Sequence, residues 1–529
     1  MLSFLGIVLF PFILLSTPYV QSRVADGLAF KINKNYNIDI RVGKVSIGVD
    51  GSILIKSFFI ADHQSDTLFF AKKFQTDLYS FGQWVDGNFF FDTVEFDEAF
   101  LKVTQYEGEL QNSFFQFSDK LLYHLPPRKS KPILISLNQL EINRGKILFK
   151  NISNQKESID IEGINLLAND FIVFNDQVQI DLNRFSLKSD EFGKLSSLKT
   201  RININPCEIE LASFNLVAEE SILKGDLSLR SQNSSLGFIN HHSILNLNLK
   251  KGNISKELLN KFISVPDNFE SLDISFNASG ILSDITLNDL KAMNSRLNFS
   301  GILNIKKDFS SNLYNLKTNI DKLVFAPENL SYFLTTSIFE KIPVNFFKYE
   351  EIKTFGEVIY NNKVLTTNLN FQIDKGQVVQ KGVLNFKDNK PYGFKGTFDF
   401  KNFNLNKWED KFGVVDADLY ISANNILSES FDFSYNLTLS KLIIGQTTLN
   451  NLSFDGDYEF ETFTSDIKIN NNLISAKSVI SFSWSEDQKK YQFDLNLKHL
   501  NLHSLSQQLG YGKAVFSGDL TVFFGWRFI

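Results

Sequence analysis

The sequence predicts a mainly β protein tethered at one end. It would have an N-terminal transmembrane helix, a short amphipathic helix, and then a long curled antiparallel-type β-sheet whose apolar face forms a hydrophobic groove. Three observations predict this. Short stretches alternating apolar and polar residues recur from Val45 almost to the last residues, the period of strands with one dry and one wet face. No Pro/Gly/Ser-rich linker interrupts them after Pro132, although separate sandwiches would close after ~100 residues and show boundaries. One uncharged run, Leu2–Val20 (LSFLGIVLFPFILLSTPYV), has membrane length, since a helix rises ~1.5 Å per residue.

That run could be a spanning helix or a cleaved signal peptide. No A-x-A-like site follows it, and Tyr19 and Val20 stand where small residues are expected. Residues 1–20 are therefore expected to be an uncleaved anchor, with the bulk of the chain outside the cytoplasm. Pro11 falls mid-span and no Lys or Arg precedes Leu2 to orient it. Val20, Val24, Leu28 and Ile32 then recur every four residues, giving a helix of about four turns one apolar face. Asn35 and Asn37 mark its end.

Val45-x-Ile47-x-Val49, Asp50-Gly51 and Ile53-x-Ile55 read as a hairpin. The run Asp62-His63-Gln64-Ser65-Asp66-Thr67 reads as a tight turn between strands, and Phe58-x-Ile60, Phe74-x-Thr76-x-Leu78, Phe89-x-Phe91 and Leu101-x-Val103 keep the period of two. Ser113–Leu125 is a second helix candidate, ended by Pro126-Pro127. The organisation is thus an anchor at 1–20, an N-terminal α/β unit at 21–125, a linker at 126–132 and a repetitive β-groove arm at 133–529.

The arm supplies the candidate functional residues. Ile180, Leu227, Leu247, Leu369, Phe433 and Leu437 sit at apolar positions of clearly alternating stretches, and are expected to line the dry face. A degenerate repeat overlies the alternation: Ile320-Leu323-Phe325-Leu330, Phe400-Phe403-Leu405-Trp408 and Leu497-Leu500-Leu502-Leu505, each preceded by Tyr314, Tyr392 or Tyr491. Its spacing is unequal, so it is not a fixed solenoid coil, and chance similarity among strands is its rival.

Catalytic patterns are missing. The formal net charge of −5 and the lack of a basic cluster denser than Arg128-Lys129-Ser130-Lys131 give no nucleic-acid footprint. The single cysteine, Cys207, excludes an internal disulfide; it is expected to be a small buried side chain in a strand region. His499-x3-His503 has helical metal-ligand spacing, but Leu500-x-Leu502 marks a strand or turn. Phosphate-binding, dinucleotide and nucleophile-elbow motifs are absent, so no enzyme and no cofactor is expected.

Thr17-Pro18-Tyr19-Val20-Gln21, the helix after it, Val42-Gly43-Lys44-Val45 and Asp62-His63-Gln64-Ser65-Asp66-Thr67-Leu68 resemble the N-terminus of TamB-like proteins of Bacteroidetes type. These belong with the AsmA-like, bridge-forming lipid transport proteins. The resemblance is specific over Pro18–Thr104 and a matter of overall pattern to about Leu520. It implies a bacterial inner-membrane anchor, an AsmA-like unit at 21–125 and a periplasmic folded-over "taco" sheet along which phospholipid acyl chains travel. It also implies a link to outer-membrane protein assembly through a TamA-type β-barrel contacted by the family's C-terminal domain. This chain stops at Ile529, short of such a domain, so the sequence is expected to be a truncated form and barrel docking is in doubt.

Two functions from different classes follow. The first is a membrane-anchored phospholipid conduit between inner and outer membranes. The second is a scaffold that offers sheet edges to assembling outer-membrane β-barrels. A surface adhesin or polysaccharide-acting β-helix is a third, weaker reading, and would call for exposed aromatic and carboxylate clusters.

Overall fold

The computed structural model describes residues 17–48, 51–78, 88–109, 111–117, 134–152, 158–190, 193–231, 241–261, 265, 269–308, 313–332, 339–340, 342–388, 390–426, 430–445, 447–485, 488–501 and 515–516. Most of the expected anchor, residues 118–125 of the second helix candidate, and the linker 126–132 lie outside these. Among the described residues no helix is long and apolar enough to cross a membrane. The chain divides into two compact units, Met1–Ser264 and Val265–Ile529.

The first unit opens with α1 (Pro18–Tyr36). Thr17 stands at its N-cap position without a side-chain capping bond, and Pro18 occupies its first turn, where a missing N–H does no harm and the fixed φ favours the helix. Asn37, in the left-handed conformation (φ 50°), ends it. Among the described residues eleven strands follow: β1 (Asp39–Ile47), β2 (Ser52–Ala61), β3 (Thr67–Leu78), β4 (Asn88–Gln105), β5 (Leu134–Asn151), β6 (Ser158–Phe174), β7 (Gln177–Ser189), β8 (Gly193–Asn205), β9 (Glu208–Ala218), β10 (Ser221–Arg230) and β11 (Ile244–Ile254). Each pairs with the next in antiparallel register, except that β4 and β5 run parallel. The expected antiparallel-type sheet thus contains one parallel pair. A parallel neighbour needs a crossover, and residues 106–133, helical at 113–117, supply the length for one.

The helix face packed on the sheet also differs from the apolar stripe read in the sequence. Ala29 is buried, whereas Val24 is 55% and Ile32 39% exposed. The inward residues instead satisfy the edge of β1. Asn33 exchanges two 2.8 Å bonds with the N–H and C=O of Ile40. The Ile47 N–H donates to Gln21 Oε1 at 2.8 Å, and the Val45 N–H donates to Ser22 Oγ at 2.9 Å. Edge strands expose unpaired backbone groups that invite further pairing, and here polar helix side chains take the place of a neighbouring strand. That requirement overrides the apolar stripe.

The second unit contains β12 (Leu272–Ile281), β13 (Asp284–Met293), β14 (Leu297–Asp308), β15 (Leu313–Phe325), β16 (Ile352–Asn361), β17 (Val364–Ile373), β18 (Gly376–Lys387), β19 (Lys390–Asn404), β20 (Phe412–Asn424), β21 (Asp432–Ile444), β22 (Thr447–Leu449), β23 (Leu452–Glu459), β24 (Thr462–Asn470), β25 (Ile474–Ser485), β26 (Gln488–Asn501) and β27 (Val515–Phe516). Successive strands pair antiparallel, with β23 returning to β21 beside the short β22. Several hairpins turn on two left-handed residues: Glu219-Glu220, Asn362-Lys363 and Phe460-Glu461. Such turns match the right-handed strand twist. The mainly β expectation therefore holds, with the helices among the described residues confined to connections and to α1.

Candidate functional site

Residues paired across antiparallel strands point to the same side of a sheet, so register turns alternating strands into rows. In the first unit Ile180 opposes Ile202, which opposes Leu211, then Leu227, then Leu247. Three of the sequence candidates thus form one five-strand row. In the second unit Leu369 continues through Gln380, Phe398 and Leu419 to Leu437 and Phe454. Phe433 lies in a neighbouring row of the same face, running Phe394, Ala423, Phe433, Tyr458, Phe463, Phe482. Ring contacts follow that row: Phe433 stacks on Tyr458 at 5.7 Å and Phe463 on Phe482 at 6.1 Å.

Exposure of this second face is graded along the strands. At one end lies a buried cluster of Ile352, Ile373, Val378, Phe403, Val415, Ala417, Leu439 and Leu452 around Tyr349. The 3₁₀ helix Val344–Lys348 and the turn after β19 close over it. The Tyr349 hydroxyl donates to the Asn404 carbonyl at 2.7 Å and accepts from Trp408 Nε1 at 3.2 Å, and Asn345 Nδ2 donates to the Trp408 carbonyl. Burial holds the Tyr349 phenol above its usual pKa. Further along, Leu369, Phe398, Leu419, Leu437 and Phe433 are only half buried. All six candidates, Ile180, Leu227, Leu247, Leu369, Phe433 and Leu437, are half buried. They are neither core nor isolated surface residues.

Polar side chains interrupt the rows. Gln380 is buried and donates to Thr367 Oγ1 at 2.8 Å. Ser478, between Ile467 and Leu495, has a buried hydroxyl without a hydrogen-bond partner. Gly356 opposes Leu369 with φ 130°, and a Cβ there would collide with the Asn368 carbonyl; only glycine meets both demands. The opposite face is wet. Thr366, Asn368, Lys381, Thr438 and Ser440 are exposed, and cross-strand ion pairs such as Arg201–Asp181 (2.6 Å) and Lys317–Glu357 (2.6 Å) lie among exposed side chains. Arg201 holds the Asp181 carboxyl below its ordinary pKa, chiefly through their hydrogen bond.

The turn at Asp62–Thr67 is a polar clamp. Asp62 Oδ1 accepts from the Gln64 and Asp66 N–H groups at 2.9 Å, and Oδ2 accepts from the Tyr106 hydroxyl at 2.6 Å. His63 Nε2 lies 2.9 Å from Glu109 Oε1, and Lys102 pairs with Asp66 at 2.5 Å. These bonds tie the β2–β3 turn to the segment after β4, and among the described residues no group of His, Cys, Asp and Glu could hold a metal. His499 lies in β26 opposite Ser475, and His503 is outside the described residues. Cys207 is half buried in the β8–β9 turn and not in a strand, because Asn205 Oδ1 accepts its N–H at 2.9 Å and closes the turn.

One group of residues escaped sequence reading: Tyr349 and Asn345 are brought to Trp408 by a long connection, which no local period announces. No protein-family model, curated protein or solved structure matches this chain.

Proposed function

We propose that this protein holds and conducts lipid acyl chains along the apolar face of its sheet, as a membrane-anchored, non-enzymatic phospholipid bridge in the bacterial periplasm. The observation carrying this reading is the set of half-buried apolar rows. Folded proteins rarely leave contiguous apolar surface beyond a few hundred Å² without a use for it, and these rows cross many strands while Leu369, Leu437 and Phe433 stay only half buried. In this reading the sheet curls so that the rows line a groove, and the uncharged run before α1 holds one end in the inner membrane. Acyl chains gain ~25 cal/mol per Å² of apolar area removed from water. Because successive rows offer near-equivalent contacts, sliding needs no covalent step.

The resemblance of Pro18–Thr104 to TamB-like proteins supports the same reading and adds the outer membrane as destination, with a TamA-type barrel as partner of a C-terminal region. The rival, strand templating at a free sheet edge, is weakened at β1, whose edge groups are bonded to Gln21, Ser22 and Asn33. The test is mass spectrometry of lipid co-purifying with the full chain. Stoichiometric phospholipid supports the proposal; a chain that emerges free of lipid in mild detergent overturns it.

A further inference from the structure

The helix that closes the edge of the first unit's sheet carries rings and cations on its outer side. We infer that this side rests on the surface of the membrane that holds the preceding run, so that α1 is an interfacial foot as well as an edge cap. This rests on the anchor in the proposed function and deepens it, by naming the surface that the chain meets where it leaves the bilayer.

Tyr19 and Phe30 are each 70% exposed. They stand eleven residues apart, about three turns at 3.6 residues per turn, and so share one side of α1. Arg23 falls between them and Lys34 lies one turn beyond Phe30, both exposed. The Arg23 guanidinium lies 5.5 Å from the Tyr19 ring centre. Val24, 55% exposed, and the exposed Lys31 border this stripe across Gly27. Single exposed apolar residues are ordinary, but here two rings and a valine crowd one helix of 19 residues. The inner side is already engaged, because Gln21, Ser22 and Asn33 bond the edge of β1 and Ala29 is buried.

A bilayer is the occupant that position favours. The uncharged run Leu2–Val20 ends inside the first turn of α1, so a run held in the membrane delivers the helix to the interface without a spacer. Thr17 is extended, with ψ 134°, and Pro18 starts the helix anew, which leaves α1 able to lie across the direction of what precedes it. The sheet supplies the orientation. β1 gives one edge to α1 and the other to β2, and β3 and β4 follow on that far side. With its outer side on a membrane, α1 therefore stacks these strands away from the bilayer, as a bridge requires. Arg23, Lys31 and Lys34 stand against Asp26 on the helix, and their long stems let cations and rings share the headgroup layer. A second copy packed symmetrically on this side would instead set these cations against their own counterparts.

Gly27 is exposed, and a Cβ there would meet nothing within 4 Å, so a bimane-labelled Gly27→Cys in a Cys207→Ser background reports on the outer side without crowding it. The full chain is reconstituted in phosphatidylethanolamine–phosphatidylglycerol vesicles holding nitroxide-labelled lipid, with labelled Thr438→Cys as the control. An interfacial helix sinks ~5–10 Å into the headgroup and acyl boundary. The label at 27 should therefore be quenched more by a nitroxide high on the acyl chain than by one near its end, and be shielded from aqueous iodide. The label at 438 should be open to iodide. Val24→Glu with Phe30→Glu, both at exposed positions, should lower the docked-to-undocked ratio by roughly tenfold, about 1.4 kcal/mol, while the chain still floats with the vesicles. A floating chain whose residue 27 is open to iodide and blind to nitroxide overturns the foot, as does quenching unchanged in the double variant. Shielding from both quenchers, with copies crosslinking through residue 27, overturns it in favour of a second copy. A chain that does not float overturns foot and anchor together, whereas a floating, quenched chain that co-purifies without lipid overturns only the conduit.

Discussion

Replacing Leu437 by arginine puts a charge in the middle of the row that runs from Leu369 to Phe454. Leu437 lies between Leu419 and Phe454 across the strands, one register step from the buried Leu439 and from the half-buried Tyr435. Because Leu437 is itself half buried, the fold loses about 1 kcal/mol, a fraction of the 1.5–3 kcal/mol of a fully buried leucine. The guanidinium can also reach toward water. An acyl chain passing over it fares worse. Displacing about four methylenes at ~0.8 kcal/mol each removes about 3 kcal/mol, which is over a hundredfold in occupancy. Thr438→Arg, one residue away on the exposed face, is the matched control. Binding of a fluorescent phospholipid to the purified chain, with urea unfolding alongside, should show Leu437→Arg folded but depleted of lipid and Thr438→Arg unaffected. Equal lipid binding by the two variants would refute the assignment of the apolar rows as the binding surface.

Other perturbations test the supports of that face. Asn33→Ala removes both bonds to Ile40 and should lower the urea midpoint by an amount equivalent to about 2 kcal/mol, and expose β1 to self-association detectable by light scattering. Tyr349→Phe strands the Trp408 Nε1 and Asn404 carbonyl groups; a loss of about 1–3 kcal/mol in urea unfolding is expected. Gly356→Val forces a branched side chain onto φ 130° against Asn368 and should destabilise by at least about 1–3 kcal/mol, read in the same assay. Asp66, Asp97, Asp181 and Asp226 all have pKa values lowered from 3.8, chiefly by hydrogen bonds to Lys102, Arg144, Arg201 and Lys250. Their contribution is therefore complete above the unfolded value and is lost as pH falls through the lower folded ones. Thermal unfolding between pH 7 and 2 should show stability flat down to about pH 4 and then declining, shallowly because the pairs are largely solvated.

Strand content was legible because alternation is local. Val178-x-Ile180-x-Leu182 or Phe431-x-Phe433-x-Tyr435 needs no partner to declare a dry face. Register was not legible. Nothing in the chain says that Ile180 meets Ile202, or that Phe433 stacks on Tyr458, because slips such as that between Phe400 and Phe403 shift pairing by backbone geometry alone. Turns were partly hidden for a related reason: Asp50-Gly51 announces itself, while Glu219-Glu220 and Phe460-Glu461 adopt left-handed conformations without the usual glycine. For α1, hydropathy pointed to the stripe of Val20, Val24, Leu28 and Ile32, but the unpaired groups of β1 turned Ser22, Ala29 and Asn33 inward, while Val24 and Ile32 are exposed. The six groove candidates were chosen for alternation alone, and their shared half-burial is a property of neighbours that the sequence does not list in spatial order.

The central claim, that acyl chains lie on the apolar rows, is tested most directly by photocrosslinking in living bacteria. A benzophenone amino acid at Leu369 or Leu437, with Thr438 as the opposite-face control, would be irradiated and the adducts identified by mass spectrometry. Phospholipid adducts at Leu369 and Leu437 and none at Thr438 are predicted. Adducts dominated by β-barrel polypeptides, or lipid captured equally at all three positions, would contradict it.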